Sequence, residues 1–214
     1  MTFPDLNYEI ELWKNGYSVI GIDEVGRGSF AGPLVVCGVV FNSTANEERL
    51  AKLLSYGIND SKKLKHTERK KLAEIIKSEC LTHYISSIDV NKINKIGIGK
   101  ATYSAAREIV KKLSVDRPYV LMDGFRIKYV KGVGLKNQKG IVKGDSLCLS
   151  IAAASIIAKV TRDEYMRKLA HDFPKYGWGR NKGYGSLEHR NAIREFGPTI
   201  HHRTDFIENF IKPF

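Results

Sequence analysis

Residues 34–41 read LVVCGVVF, apolar at nearly every position. A strand with one wet face alternates, whereas an unbroken apolar run belongs to a strand buried on both faces. Such a strand needs cover above and below its sheet, so an α/β chain is expected. A second strand is predicted over 19–25, joined to the first by the Gly-rich turn 26–33. Helices are predicted at 66–78, with Thr67 as N-cap, and at 99–113. Further strands are predicted at 81–90, 119–122 and 140–142. The strongest helical signal covers 146–169 and is built on IAAASIIAKV, whose small residues suit close packing against the sheet. Three early strands followed by alternating strands and helices imply a mixed central β-sheet flanked by helices. No repeat, low-complexity tract or linker divides the 214 residues. One domain over 1–214 is therefore expected, its C-terminal region helical from roughly residue 165.

No apolar stretch approaches the roughly 18 residues that span a bilayer. The segment MTFPDLNYEIELWKNGY carries Asp5, Glu9 and Glu11 and lacks the apolar core of a signal peptide. Cys37, Cys80 and Cys148 are odd in number and widely spaced, which fits neither a disulfide framework nor a zinc site. A cytoplasmic setting without a membrane partner is expected. Lys and Arg total 35 against 23 Asp and Glu, a net charge of +12. That excess favours a polyanionic partner, nucleic acid before anionic membrane.

Three segments hold candidate chemistry. In GIDEVGRGSFAGP, residues 21–33, Asp23 and Glu24 end an apolar strand. Buried carboxylates are costly unless paired or coordinated to a metal, although a strand end emerging into solvent explains two acids as well. The following Gly26, Arg27 and Gly28 combine close backbone approach with a phosphate-binding fork. The spacing is not a dinucleotide fingerprint, because the next glycine is Gly32. In LMDG, Asp123 runs into a glycine, which is either a turn or a strand-end functional group. In KGDS, Asp145 precedes the Ala-rich helix, where capping alone would account for it. Together, Asp23, Glu24, Asp123 and Asp145 sit at element ends in a basic chain and invite a divalent cation. Oxygen donors of this kind suit Mg2+ or Mn2+. Two such ions about 4 Å apart clamp the attacking and leaving oxygens of a phosphodiester.

GIDEVGRGSFAGPLVV, NDSKKL (59–64), MDG (122–124), KGDSLCLSIAAASIIAKVTRDEYM (143–166) and NKGYGSLEH (181–189) resemble, in order, the motifs of ribonuclease HII, the type 2 ribonuclease H family. The match runs from residue 21 to HHRTDF near the C-terminus. Ribonuclease HIII is similar, but carries an extra N-terminal domain for which only about 20 residues precede the match. The resemblance implies a ribonuclease H-like fold with a four-carboxylate site. It assigns Asp23 and Glu24 to the adjacent acid pair, Asp123 to the DG acid and Asp145 to the KGD acid, all holding Mg2+ or Mn2+. It implies that Gly26, Arg27 and Gly28 recognise the ribonucleotide 2′-hydroxyl, and that Tyr184 packs on the next deoxyribose. The implied activity is endonucleolytic cleavage of RNA/DNA hybrids, and of DNA duplexes on the 5′ side of embedded ribonucleotides. Cys148 replaces a common serine, and Ser29 and Phe30 replace a frequent Pro-Leu.

Lys62 of the DSKKL segment is a candidate phosphate contact, although such charge runs are ordinarily solvated. Trp178 is expected to be a core or loop anchor, and Cys148 a packing residue. His189, His201 and His202 are expected in capping or surface roles. Asp163 is expected to pair with Arg167 along the helix. A monomer is expected, with the apolar C-terminal IENFIKPF serving either as a sliding-clamp docking tail or as ordinary packing. A non-catalytic binding protein on the same fold would lack one of the four acids. A DNA-cutting relative would lack a device for the 2′-hydroxyl.

Overall fold

The computed structural model describes residues 3–44 and 47–211. In chain order the first elements are α1 (Asn7–Lys14), β1 (Ser18–Val25), β2 (Leu34–Val40), α2 (Glu47–Ser55) and α3 (His66–Glu79). Next come β3 (Thr82–Ile88), α4 (Val90–Ile96), α5 (Ile98–Leu113), β4 (Pro118–Asp123) and β5 (Gln138–Ile141). The chain continues through a 3-10 turn at Gly144–Ser146 into α6 (Leu149–Asp172). It closes with α7 (Trp178–Asn181), α8 (Leu187–Phe196) and α9 (Thr204–Ile211).

The sheet order is β3-β2-β1-β4-β5, antiparallel across the first three strands and parallel from β1 through β4 to β5. This is the mixed sheet expected. Every residue of β2 is buried, and the reason is two-sided cover. Val35, Cys37 and Val39 face a cluster built with α6 and α3, while Val36 and Val40 face one built with α5. A side chain at Gly38 would collide with Ile109, and one at Gly21 would collide with Ser150 of α6. Small residues thus let both helices close on the sheet. The first part of helix α6, residues 149–158, is buried all round because it lies between the sheet and α3.

Several local expectations are corrected. Asp145 does not cap the long helix; it lies in the preceding 3-10 turn, and Cys148 occupies the N-cap position. The cap function comes from α1, where the buried Glu9 carboxylate accepts from Ser150 N at 2.8 Å and Cys148 Sγ at 3.1 Å. Thr67 is inside α3, whose N-cap is Lys65. Helices α1, α2 and α4 were not legible as periodic segments. Ile207 of the C-terminal IENFIKPF is buried packing, and residues 212–214 lie outside the described residues.

Candidate active site

Parallel pairing sets Ile22 of β1 beside Met122 of β4, so Asp23, two residues before the end of β1, follows on the strand next to Asp123, the last residue of β4. Asp23 Oδ1 accepts from Glu24 N at 2.7 Å, and Ser155 of α6 hydrogen-bonds the same carboxylate. Asp123 Oδ1 accepts from Gly144 N at 2.7 Å, which ties the 3-10 turn to the end of β4 and brings in Asp145. Lys143 enters that turn in the left-handed region, at φ 57°. Lys62 Nζ lies 3.5 Å from Asp145 Oδ2, and Arg27 Nη1 lies 3.6 Å from Glu24 Oε1. Asp23, Glu24, Asp123, Lys62 and Tyr184 line one cleft of about 410 Å³.

The cleft holds more negative charge than its bases neutralise. Burial, with Glu24 and Asp123 adding, pushes the Asp23 carboxyl well above the ordinary range. Burial lifts Glu24 to about 7 against the pull of Arg27. Burial and then Asp60 raise Asp145, with Lys62 opposing. Glu24 Oε2 is buried with no hydrogen-bond partner among the described residues. An orphaned carboxylate oxygen beside three further acids fits a divalent cation. Among the described residues no three His, Cys, Asp or Glu side chains close around one point. Mg2+ does not require that, since it retains waters and binds through one or two carboxylates plus substrate phosphate.

The 26–33 turn is held from below by two fully buried arginines that have no carboxylate across from them in this turn. Arg162 of α6 donates through Nε to Pro33 O at 2.9 Å, Nη2 to Ala31 O at 3.0 Å and Nη1 to Lys182 O at 2.8 Å. Arg203 donates to Gly32 O at 2.8 and 3.1 Å and to Arg27 O at 3.0 Å. Burial, then Arg162, pulls Arg203 down to about 9. Gly26, at φ 89°, lies where a side chain would collide with the Arg162 guanidinium. Gly28 has open space around its Cα. Its backbone is the accessible part of the turn.

Tyr184 rests against the same scaffold. Its ring lies 5.4 Å from the Arg162 guanidinium and 5.8 Å from Lys159 Nζ. Its carbonyl meets His189 Nδ1 at 2.9 Å. His189 Nε2 is approached by Trp178 Nε1 at 2.9 Å and His202 Nε2 at 3.1 Å. Thr199 N donates to His202 Nδ1 at 2.8 Å, so the His202 proton sits on Nε2 and the His189 proton on Nδ1. His189 and His202 are therefore core residues, correcting the expected surface roles, and Trp178 is fully buried as expected. Asp163 pairs with Lys159 at 2.8 Å and Arg69 at 4.0 Å, not with Arg167.

Of the candidate site residues, Asp23, Glu24, Asp123, Lys62 and Tyr184 line this cleft; Asp145 reaches it through Lys62 and Arg27 through Glu24, while Gly26 and Gly28 lie in the adjoining turn. Glu9, Ser155, Lys159, Arg162 and Arg203 were missed. Arg162 had a readable signal: it falls on the buried stripe Ser155–Ala158–Arg162–Met166, where a charge demands a partner.

The family model for Ribonuclease HII matches residues 20–209. The ribonuclease HII of Clostridium acetobutylicum is 43% identical over 204 residues, covering 95% of this chain and 78% of its own. The Archaeoglobus fulgidus RNase HII, solved in complex with PCNA, superposes at TM-score 0.74 with 25% identity, over 92% of this chain and 98% of its own. Bst-RNase HIII, solved with Mn2+, shares the fold at TM-score 0.68 and 22% identity, over 87% of this chain and 65% of its own.

Proposed function

The chain belongs to the ribonuclease HII family, and from that premise we propose that it cuts RNA/DNA hybrids, and DNA on the 5′ side of embedded ribonucleotides. The observation that carries this reading is a cleft lined by Asp23, Glu24, Asp123 and Tyr184, next to the open backbone of Gly28. Divalent-metal dependence comes with the family. Asp23, Glu24, Asp123 and Asp145 would hold two Mg2+ or Mn2+ ions, which when bound polarise the scissile phosphate and acidify the attacking water.

The chain's own residues set the geometry around that chemistry. Glu24 N and Ser155 orient Asp23, and Gly144 N orients Asp123 while locking the turn that presents Asp145. Lys62, with an exposed side chain, neutralises Asp145 in the free protein and is placed to follow an incoming phosphate. Arg27 holds Glu24 and leaves the cleft mouth cationic. Gly28 has no side chain to keep a ribose from its backbone, so its amide and carbonyl reach the 2′-hydroxyl, which both donates and accepts. Tyr184 offers a ring face to the next sugar, where a deoxyribose packs more closely than a ribose. The archaeal relative's complex supports a sliding-clamp contact as a further partner, tested by co-elution of this chain with a clamp.

The test is a duplex with one embedded ribonucleotide, incubated with and without Mg2+, its products mapped on a sequencing gel. A metal-dependent cut on the 5′ side of the ribonucleotide, leaving 3′-hydroxyl and 5′-phosphate ends, is expected. A cut in all-DNA duplex at the same rate overturns the reading.

A further inference from the structure

Charge is distributed very unevenly along this chain. Residues 90–143 contain thirteen Lys and Arg against three acids, a balance of +10 in a molecule whose total is +12. All thirteen except Arg107 are exposed. Among the described residues none of the thirteen forms an ion pair. The Glu108 carboxylate is taken up by the hydroxyls of Tyr84 and Ser86.

These bases connect to the cleft through two rings in edge-on contact with a cation at each end. Arg27 lies 5.2 Å over the Phe125 ring, and Phe125 meets Tyr103 edge-on at 5.8 Å. Arg107 lies 6.0 Å over Tyr103 and donates to Lys128 O at 3.0 Å. Two adjoining hollows, of about 480 and 350 Å³, share Arg107 and Tyr129 and are rimmed by Lys100, Lys128 and Lys131. Tyr129 is 87% exposed and sits at φ 59°. An exposed ring on a strained backbone is an outlier that packing does not explain.

Resting on the nuclease reading, we propose that the outer flank of α5 and the 124–137 segment form a second binding surface, for the duplex continuing beyond the cleft. Double-stranded nucleic acid presents a charge every ~1.7 Å along its axis, which a row of unpaired bases running out of the cleft complements. Tyr129 and the Arg107–Tyr103 pair supply ring and guanidinium faces for the sugar-phosphate edge. An anionic bilayer is the less suitable partner, because the row begins at Arg27, paired to Glu24 of a recessed cleft that a flat membrane surface does not enter.

The test compares wild type with the triple variant Lys100→Gln, Lys128→Gln, Lys131→Gln. Binding is titrated without divalent cation, against single-ribonucleotide duplexes of about 10 and about 30 base pairs, across salt concentrations. On the long duplex the variant's slope of log K against log[salt] should be shallower by about 2 to 3, at about 0.9 per lost phosphate contact. Between 50 and 200 mM salt, wild type should then lose about 40-fold more affinity than the variant. The short duplex should show a smaller difference, and the Lys→Arg triple variant should restore the wild-type slope. In turnover, KM for the long duplex should rise with kcat retained. Equal slopes on the long duplex overturn the proposal. So does a variant that keeps duplex binding but no longer binds phosphatidylserine vesicles. Wild type that binds both duplexes yet cuts neither in Mg2+ overturns the nuclease reading alone, since the slopes still test the surface.

Discussion

At Asp23, function and stability oppose each other. The side chain is buried beside Glu24 and Asp123, and its carboxyl is pushed well above the ordinary range. A folded-state pKa above the unfolded value means the native state holds its proton longer. Stability therefore falls as pH rises above about 4, and the buried Asp23 carboxyl is a liability in the metal-free protein. Asp23→Asn keeps the acceptor for Glu24 N and removes the charge. It should raise the metal-free melting temperature by roughly 2–8 °C, for about 1 to 2 kcal/mol. Cleavage should fall at least about 10³-fold. Retained turnover in this variant would remove Asp23 from the ion site. Gly26 and Gly28 of the turn separate in the same way. Gly26→Ala meets both a positive φ and the Arg162 guanidinium, and should destabilise by about 2 kcal/mol or more. Gly28→Ala has free space. It should melt within about 1 kcal/mol of wild type, yet cut a ribonucleotide duplex about 10- to 100-fold more slowly through lost close approach. Thermal scans and single-turnover rates on both variants distinguish a packing glycine from a substrate-facing one.

Among the elements, the 26–33 turn has no regular structure of its own and borrows its shape. Arg162 comes from α6, Arg203 from the segment before α9, and the backbone of Gly183 receives Phe30 N at 2.8 Å and Ala31 N at 3.1 Å. Arg203→Lys keeps the charge but not the planar fork that reaches two carbonyls at once. A loss of about 2 to 4 kcal/mol in urea unfolding is expected, with faster amide exchange across residues 26–33. Unchanged exchange there would show that Arg203 only fills space. The His189–His202 pair makes the C-terminal elements acid-sensitive. Burial, with His189 adding, pulls His202 down to about 4, and burial also lowers His189. Both are neutral in the fold, and a second proton on either would set two donors face to face. A depressed folded pKa means the unfolded chain binds protons first. Stability should therefore be full above about 6.5 and decline as pH falls toward about 4. His202→Gln should flatten melting temperature against pH in that window. An equally steep wild-type and variant profile would place the acid sensitivity elsewhere.

Over the whole molecule, a net charge of +12 surrounds an acidic cleft. On the proposed function, long-range attraction would bring a polyanion to the surface, and the acids with bound cations would act only at contact. Hybrid binding should weaken with salt at about 0.9 in log K per neutralised phosphate. A flat titration between low and physiological salt would show that the basic excess serves solubility instead. The sequence by itself determined the covered sheet, because LVVCGVVF and IAAASIIAKV can be satisfied only by burial on both sides. It also singled out the four acids and the Gly26–Gly28 turn as candidates, because those residue types follow a recognisable order of motifs. It did not contain the partners of Arg162 and Arg203, the Glu9 cap on α6 or the His189–His202 contact. Those pairings join residues 13 to 176 positions apart, and local periodicity carries no information about such distances. Helices α1, α2 and α4 were missed for a related reason: at seven to nine residues each they are too short to hold themselves, and packing decides them. Tertiary structure alone decided which carboxylates would meet, since strand register sets Asp23 on the strand next to Asp123 and the Gly144 amide ties the turn carrying Asp145 to Asp123.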